Sequence, residues 1–184
     1  MEVIIEISNR HVHLTKKVYD MLFDEEMSVK KYLSQTGEFV SNQVVTLKAN
    51  DVVIENVKVL GPFRDYNQVE ISKKDAIKLK LNPPVRKSGD VMESEKITLV
   101  TPKAEIEIEG CIIAQRHVHM NTENAQKYNV VDGQVVQIII DGDKSGVMDA
   151  YVKVSENGVF RAHLDTDDAA CFLLENNQIG NLKI

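Results

Sequence analysis

VIIEISNRHVHLT, residues 3–15, and CIIAQRHVHMNT, residues 111–122, follow the same plan and predict most of the fold. In each, an apolar strand-like run leads into Arg-His-Val-His, and a short helix that starts near a threonine follows. The chain has 184 residues and only five histidines. Four of them lie in these two phrases: His11, His13, His117 and His119. The sequence therefore predicts a weak internal repeat of strand, histidine pair and short helix.

Short strands dominate the rest of the chain. Runs rich in valine and isoleucine recur between turn signals such as Gly-Pro and Asp-Gly. Four helices of two or three turns are expected at 15–23, 72–81, 121–128 and 166–174, each beginning with a capping residue. Regular strand–helix alternation is absent, and the chain is short for a (β/α)₈ barrel of about 250 residues. We expect a mainly β (α+β) fold of two small β-barrel domains with short capping helices.

One composition shift suggests where the domains divide. Residues 81–95, LNPPVRKSGDVMESE, hold two of the four prolines and few apolar side chains. We expect a first barrel half at 1–83, a linker or active-site loop at 84–96, and a second barrel at 97–159.

Charge and composition exclude several classes. A net charge of −6 argues against nucleic-acid binding, which needs a basic face. No apolar run approaches the roughly 18 residues of a membrane helix, and the first residues do not resemble a secretory signal. Cys111 and Cys171 are too few for a disulfide framework or a four-thiolate metal site. We expect both to be buried free thiols.

The histidine pairs indicate metal binding. Side chains alternate along a strand, so both imidazoles of a His-Val-His segment lie on one face and can converge on one metal. The two pairs predict one four-histidine site or two adjacent sites. His163, at the end of a strand-like run, is a candidate fifth ligand. Five imidazoles favour two metals, one with three histidines and one with two histidines and a carboxylate. The resulting positive site would attract an anion such as phosphate.

Five ordered motifs resemble one family: SNRHVHL (8–14), GPFR with QVEIS (61–64, 68–72), PVRKSGD (84–90), GCIIAQRHVHM (110–120) and HLDTDDA (163–169). The chain is similar to the PduL-type phosphotransacylases, or phosphate propanoyltransferases. The resemblance implies two β-barrel domains, with C-terminal strands at about 160–184 completing the first barrel, and an active site between the domains. It also implies two Zn²⁺ ions, one bound by His11, His13 and Glu70 and the other by His117, His119 and His163.

The resemblance implies further roles and a reaction. Arg64 would be the active-site arginine and grip phosphate, Ser88 would contact phosphate, and Ser8 and Lys58 would bind CoA. The family often has arginine at the position of Lys58. The reaction converts acyl-CoA and phosphate into acyl phosphate and CoA, reversibly, by direct transfer without a covalent nucleophile. The family is associated with propanediol degradation.

The partners expected from the resemblance are CoA or acyl-CoA and phosphate or acyl phosphate. Microcompartment members of the family carry an N-terminal extension, whereas this chain begins at its first strand, so we expect a cytoplasmic enzyme. The sequence does not decide between acetyl and propionyl groups, nor does it fix the direction of flux. It also leaves open whether the protein forms a homo-oligomer and whether cobalt or another divalent ion replaces zinc. Two alternatives remain: a dizinc hydrolase of a thioester, phosphoester or amide, and a non-catalytic, cupin-like metal-binding module.

Overall fold

The computed structural model describes all 184 residues and divides them into two compact units. We call Arg10–Ala114 the central unit, and we call Met1–Asn9 together with Gln115–Ile184 the terminal unit. Numbered along the chain, the strands are β1 (Glu2–Ser8), β2 (His11–His13), β3 (Val29–Tyr32), β4 (Phe39–Ala49), β5 (Val52–Gly61), β6 (Gln68–Glu70), β7 (Val85–Arg86), β8 (Glu95–Val100), β9 (Glu105–Ala114), β10 (His117–Met120), β11 (Val135–Ile140), β12 (Gly146–Val154), β13 (Arg161–Asp165) and β14 (Ile179–Lys183). The helices are α1 (Lys16–Leu22), α2 (Lys73–Leu79), α3 (Thr122–Tyr128) and α4 (Thr166–Cys171).

The central unit is a closed barrel of six strands. Its hydrogen-bonded circuit runs β4–β5–β2–β6–β9–β8 and returns to β4, while β3 adds to the edge of β4 and β7 pairs with β9. Gly110 in β9 makes one close approach possible, because a Cβ there would lie 2.3 Å from the Asn67 carbonyl oxygen. Closure leaves these six strands without an exposed edge.

The terminal unit is a second closed barrel of six strands, in the order β1–β13–β10–β12–β11–β14. The N-terminal strand β1 runs parallel to β13 and antiparallel to β14, so both ends of the chain build this barrel. The N-terminal amine also donates to the Leu182 carbonyl at 2.8 Å.

The two barrels repeat one topology. Strand β2 runs parallel to β5 and antiparallel to β6, and β10 has the same relation to β12 and β13. Strand β9 runs parallel to β6 and antiparallel to β8, as β1 does to β13 and β14. Each step of one circuit therefore has a counterpart in the other, and β1 takes the place that β9 has in the central unit.

Strand alternation decides which side chains face outward. Val12 and Val118, at the centre of the two His-Val-His segments, are fully buried in the cores of their own barrels. The flanking histidines therefore lie on the outer face of each barrel, because successive side chains point to opposite sides. The cores fix the orientation of both histidine pairs.

The four helices begin at capping residues, as predicted. Thr15 and Ser72 cap α1 and α2, with the Ser72 hydroxyl accepting a bond from the Asp75 backbone N–H at 3.2 Å. Helix α4 begins one residue earlier than expected, because the Asp165 carboxylate accepts the N–H groups of Asp167 and Asp168 and so places Thr166 inside the helix.

The fold class predicted from sequence is confirmed, but the structure divides the chain differently from 1–83, 84–96 and 97–159. The segment 84–96 is part of the central barrel rather than a linker, because β7 pairs with β9 and Glu95 begins β8. Strand β1 does pair with the C-terminal strands β13 and β14. These strands do not complete a barrel with residues 10–83, however, because they close the terminal barrel instead. One thiol also differs from expectation: Cys111 is buried, but Cys171 at the end of α4 is exposed.

None of the four helices, the longest of seven residues, has the length and apolar character needed to cross a membrane.

Candidate metal centre

The central unit brings His11, His13 and Glu70 together on its outer face. His11 in β2 stands directly opposite Glu70 in β6, and the His11 Nε2 lies 3.4 Å from Glu70 Oε2. The potential ligand atoms of all three side chains lie within 4.8 Å of one another. His11 and His13 are 8% and 5% exposed, so water has little access to either ring.

The terminal unit forms a second cluster from His117, His119 and His163. His117 in β10 stands opposite His163 in β13, and the ligand atoms again lie within 4.8 Å of one another. The Nε2 atoms of His117 and His119 are 3.1 Å apart. His117 Nδ1 lies 2.8 Å from the Gln115 carbonyl, which can only accept, so Nδ1 carries the proton and Nε2 keeps its lone pair.

Both clusters suit a divalent metal. Two ligands of a tetrahedral zinc with Zn–N bonds of about 2.0–2.1 Å are about 3.3 Å apart, close to the spacings of 3.1 and 3.4 Å found here. Burial lowers the pKa of His119 to about 2, with further lowering by His163, His117 and Lys153. Its imidazole is therefore neutral, as a metal ligand must be. The donor sets are three histidines in one unit and two histidines with a carboxylate in the other.

Glu70 and His163 occupy equivalent positions. Each lies on the strand antiparallel to its His-Val-His strand, opposite the first histidine of the pair. No local feature of the sequence marks Glu70 as a partner of His11, and only the resemblance to a family indicated it. The strand register brings Glu70 into the cluster.

Arg64 lies in the loop between β5 and β6. Its guanidinium forms an ion pair with Glu38, and its backbone N–H donates to the Leu14 carbonyl at 2.9 Å. The Nε atom is buried and has no hydrogen-bond partner. Arg64 therefore has a fixed backbone and one N–H donor that no protein acceptor satisfies.

Ser88 is connected to Glu70 through Gln68, a residue that the sequence analysis missed. The Gln68 side-chain amide donates to Glu70 Oε1 at 2.7 Å and to the Ser88 hydroxyl at 3.0 Å, and its Oε1 accepts the Gly89 N–H at 2.7 Å. Gly89 has a φ of +97°, which glycine adopts readily. Gln68 is fully buried and joins the 88–89 turn to the metal cluster.

The two candidate CoA contacts lie in different units. Lys58 in β5 stands beside His11, and Ser8 in β1 stands beside Asp165. The structure does not bring Lys58 and Ser8 together within one barrel, and their role in binding CoA stays a prediction.

The arginine of each Arg-His-Val-His phrase has a structural partner that the sequence analysis also missed. Arg10 donates to both carboxylate oxygens of Asp75 at 2.7 and 2.8 Å, and this bond raises its pKa. Arg116 Nε lies 3.0 Å from both oxygens of Asp168. A shared spacing in the sequence could have indicated these pairs. Asp75 follows Glu70 by five positions, and Asp168 follows His163 by five.

Comparison with known proteins identifies the family of this chain. A family model described as phosphate propanoyltransferase matches residues 4–175. The chain belongs to the phosphate propanoyltransferase family. The relatives that bear that name include one from Thermotoga maritima, 38% identical over 96% of this chain and 87% of its own length, one from Priestia megaterium, 41% over 97% and 84%, and one from Salmonella typhimurium, 40% over 89% and 80%.

Membership in the phosphate propanoyltransferase family makes this protein an acyltransferase. The family predicted from the five sequence motifs is therefore confirmed.

Proposed function

We propose that the protein transfers a short acyl group between CoA and inorganic phosphate. Two divalent metal ions, with zinc as the first candidate, would assist the reaction. The observation that carries the proposal is the pair of three-ligand clusters, built on equivalent strands of two barrels in a chain of the phosphate propanoyltransferase family. We further propose that one reaction uses both clusters.

His11, His13 and Glu70 would hold one ion, and His117, His119 and His163 would hold the other. Three protein ligands leave a tetrahedral ion one position for substrate. Bound zinc would supply a Lewis acid that stabilises negative charge on the CoA sulfur and on phosphate.

Arg64 and Ser88 would bind phosphate. The Nε–H of Arg64 has no protein partner, and its guanidinium pairs with the carboxylate of Glu38, which phosphate would displace to form a bidentate contact. Ser88 is held by Gln68, which also contacts Glu70. Phosphate bound at Ser88 would thus be placed relative to the metal cluster of the central unit.

The proposed transfer is direct. A phosphate oxygen forms the bond to the acyl carbon while the carbon–sulfur bond breaks and CoA leaves as its thiolate. Cys111 is unsuited to act as a covalent nucleophile, because burial, with a contribution from Glu95, raises its pKa to about 12. Lys58 and Ser8 are proposed CoA contacts, and the cytoplasm is the proposed location.

The test is CoA release from acetyl-CoA and propionyl-CoA, measured with and without phosphate and after removal of metal by a chelator. We expect release to require phosphate, to yield acyl phosphate, and to return when zinc or cobalt is added back. Two metals per chain are expected by elemental analysis. Phosphate-independent release would instead support a hydrolase, and one or no metal per chain would contradict the two-ion site.

A further inference from the structure

The two clusters differ in where their carboxylate lies. In the central unit Glu70 is itself one of the three potential ligands, whereas the terminal cluster consists of three imidazoles. A carboxylate is nevertheless present beside the terminal cluster. Glu6 in β1 stands next to His163 in β13, and its Oε2 lies 2.7 Å from His163 Nε2.

Glu6 has no charged counterpart in the central barrel. Strand β9 takes the place of β1 there, and the residue beside Glu70 is Ile112, which is fully buried. The carboxylate beside His163 therefore does not follow from the repeated fold. It occurs only where the third ligand is a histidine.

The carboxylates of Glu70 and Glu6 are each contacted by a side chain from an equivalent strand position. Gln68 stands opposite His13 and donates to Glu70 Oε1 at 2.7 Å. Arg161 stands opposite His119, and its Nε lies 3.6 Å from Glu6 Oε1. In both units the residue two positions before the third ligand contacts one carboxylate oxygen, and the other oxygen faces a histidine of the cluster.

We propose that Glu6 is a positioning residue for a metal ion at the three-histidine cluster. This inference rests on the proposed two-ion function. Glu6 accepts the Nε2–H of His163, which fixes the ring and leaves Nδ1 as its ligand atom. A carboxylate on the far side of a ligating histidine also makes the imidazole a stronger donor. Each site thus has one carboxylate. In the central unit it is the ligand Glu70, and in the terminal unit it is Glu6, which hydrogen-bonds the ligand His163.

The experiment measures zinc affinity at each cluster separately by chelator competition. The terminal cluster is isolated in a His11→Ala, His13→Ala background, and the central cluster in a His117→Ala, His119→Ala background. We expect Glu6→Gln to weaken zinc binding at the terminal cluster by about 10–100-fold and to leave the central cluster unchanged. The absorption spectrum of cobalt at the terminal cluster should shift as well.

Matched variants separate positioning from a general structural effect. Glu2→Gln, an exposed carboxylate on the same strand, should leave both affinities unchanged. Arg161→Gln should weaken the terminal site less than Glu6→Gln does. The double change Glu6→Gln with His163→Glu gives the terminal unit the donor set of the central unit and should restore affinity. Thermal melting of the metal-free variants checks that each is folded.

Unchanged affinity at the terminal cluster in Glu6→Gln would overturn the inference, provided that the unaltered protein binds two metals. An equal loss at both clusters would overturn it too, since that is a structural effect. If the unaltered protein binds no metal, the proposed function fails first, so the two failures are distinguishable.

Discussion

Strands β2 and β10 carry the same His-Val-His sequence in equivalent places of two barrels, yet Glu70 completes one cluster and His163 completes the other. The supporting contacts differ in the same way. Gln68 binds Glu70 directly, whereas Arg161 reaches His163 through Glu6. The strand framework fixes where three side chains converge, while the identity of the third side chain and of its neighbours adjusts the chemistry of each cluster.

The largest expected effect comes from removing one histidine of either pair. His13 and His119 are equivalent, so His13→Ala and His119→Ala should each lose about one metal per chain. Loss of a ligand should exceed the 10–100-fold effect typical of outer-shell residues, so we expect kcat/KM to fall by at least about 100-fold in both variants. Elemental analysis and phosphate-dependent CoA release measure the two effects.

Lys96→Ala, on the exposed face of β8, is the control for these variants and should keep both metals and full activity. If either histidine variant retained full activity, the proposal that one reaction uses both clusters would be wrong.

Arg64 tests a difference between the units. The β5–β6 and β12–β13 loops, 62–67 and 155–160, are equally long, and their third residues are Arg64 and Asn157. Because lysine cannot reproduce a bidentate guanidinium contact, Arg64→Lys should raise the KM for phosphate by about 10–100-fold. The KM for acyl-CoA should change much less in steady-state kinetics.

Asn157→Ala is the matched control and should leave both KM values unchanged. A rise in the two KM values by the same factor in Arg64→Lys would count against a specific role in phosphate binding.

The sequence predicted the features that depend on local patterns. Strand-like runs, helix caps and the duplicated histidine pairs were visible because they follow from side-chain alternation and from backbone hydrogen bonding at helix ends. Arg10 and Arg116 were visible too, but their aspartate partners lie 65 and 52 residues away. Only the folded chain brings such partners together.

The strand register decides which residues contact the clusters, and local sequence patterns do not reveal it. Gln68 and Glu6 look like ordinary polar strand residues until β6 and β13 are aligned with their neighbours. The domain boundaries depended on strand pairing as well, because β1 pairs with β13 across more than 150 residues while 84–96 stays with the central barrel. The proline-rich composition of 81–95 correctly indicated a mostly irregular segment. It did not mark a domain boundary, because the whole segment lies within the central unit.

The two arginine–aspartate pairs provide a smaller, thermodynamic comparison. Arg10→Met leaves the Asp75 carboxylate, whose side chain is 8% exposed, without its partner, whereas Arg116→Met leaves Asp168 at 18% exposure. An unsatisfied buried acceptor costs about 1–3 kcal/mol. Urea unfolding of the metal-free protein should therefore show destabilisation in this range, larger for Arg10→Met. The reverse order would contradict the role that we give to burial.

Ser88→Ala should have the smallest effect. It removes one hydroxyl, worth about 1 kcal/mol, so we expect the KM for phosphate to rise roughly fivefold with metal content unchanged. The control is Ser94→Ala, because the Ser94 hydroxyl donates only to the Val91 carbonyl in the same loop region. Loss of metal in Ser88→Ala would show that the Gln68 bridge depends on this serine, and an unchanged KM would remove Ser88 from phosphate binding.

The place of β1 imposes an order on assembly during synthesis. The central barrel can close once residue 114 has left the ribosome, because all of its strands lie between 11 and 114. The first nine residues must wait, since their partners β13 and β14 are the last strands to emerge. A strand with two unpaired edges invites wrong pairing while it waits. Glu2 and Glu6, charged residues on its outward side, oppose such pairing until the proper neighbours arrive.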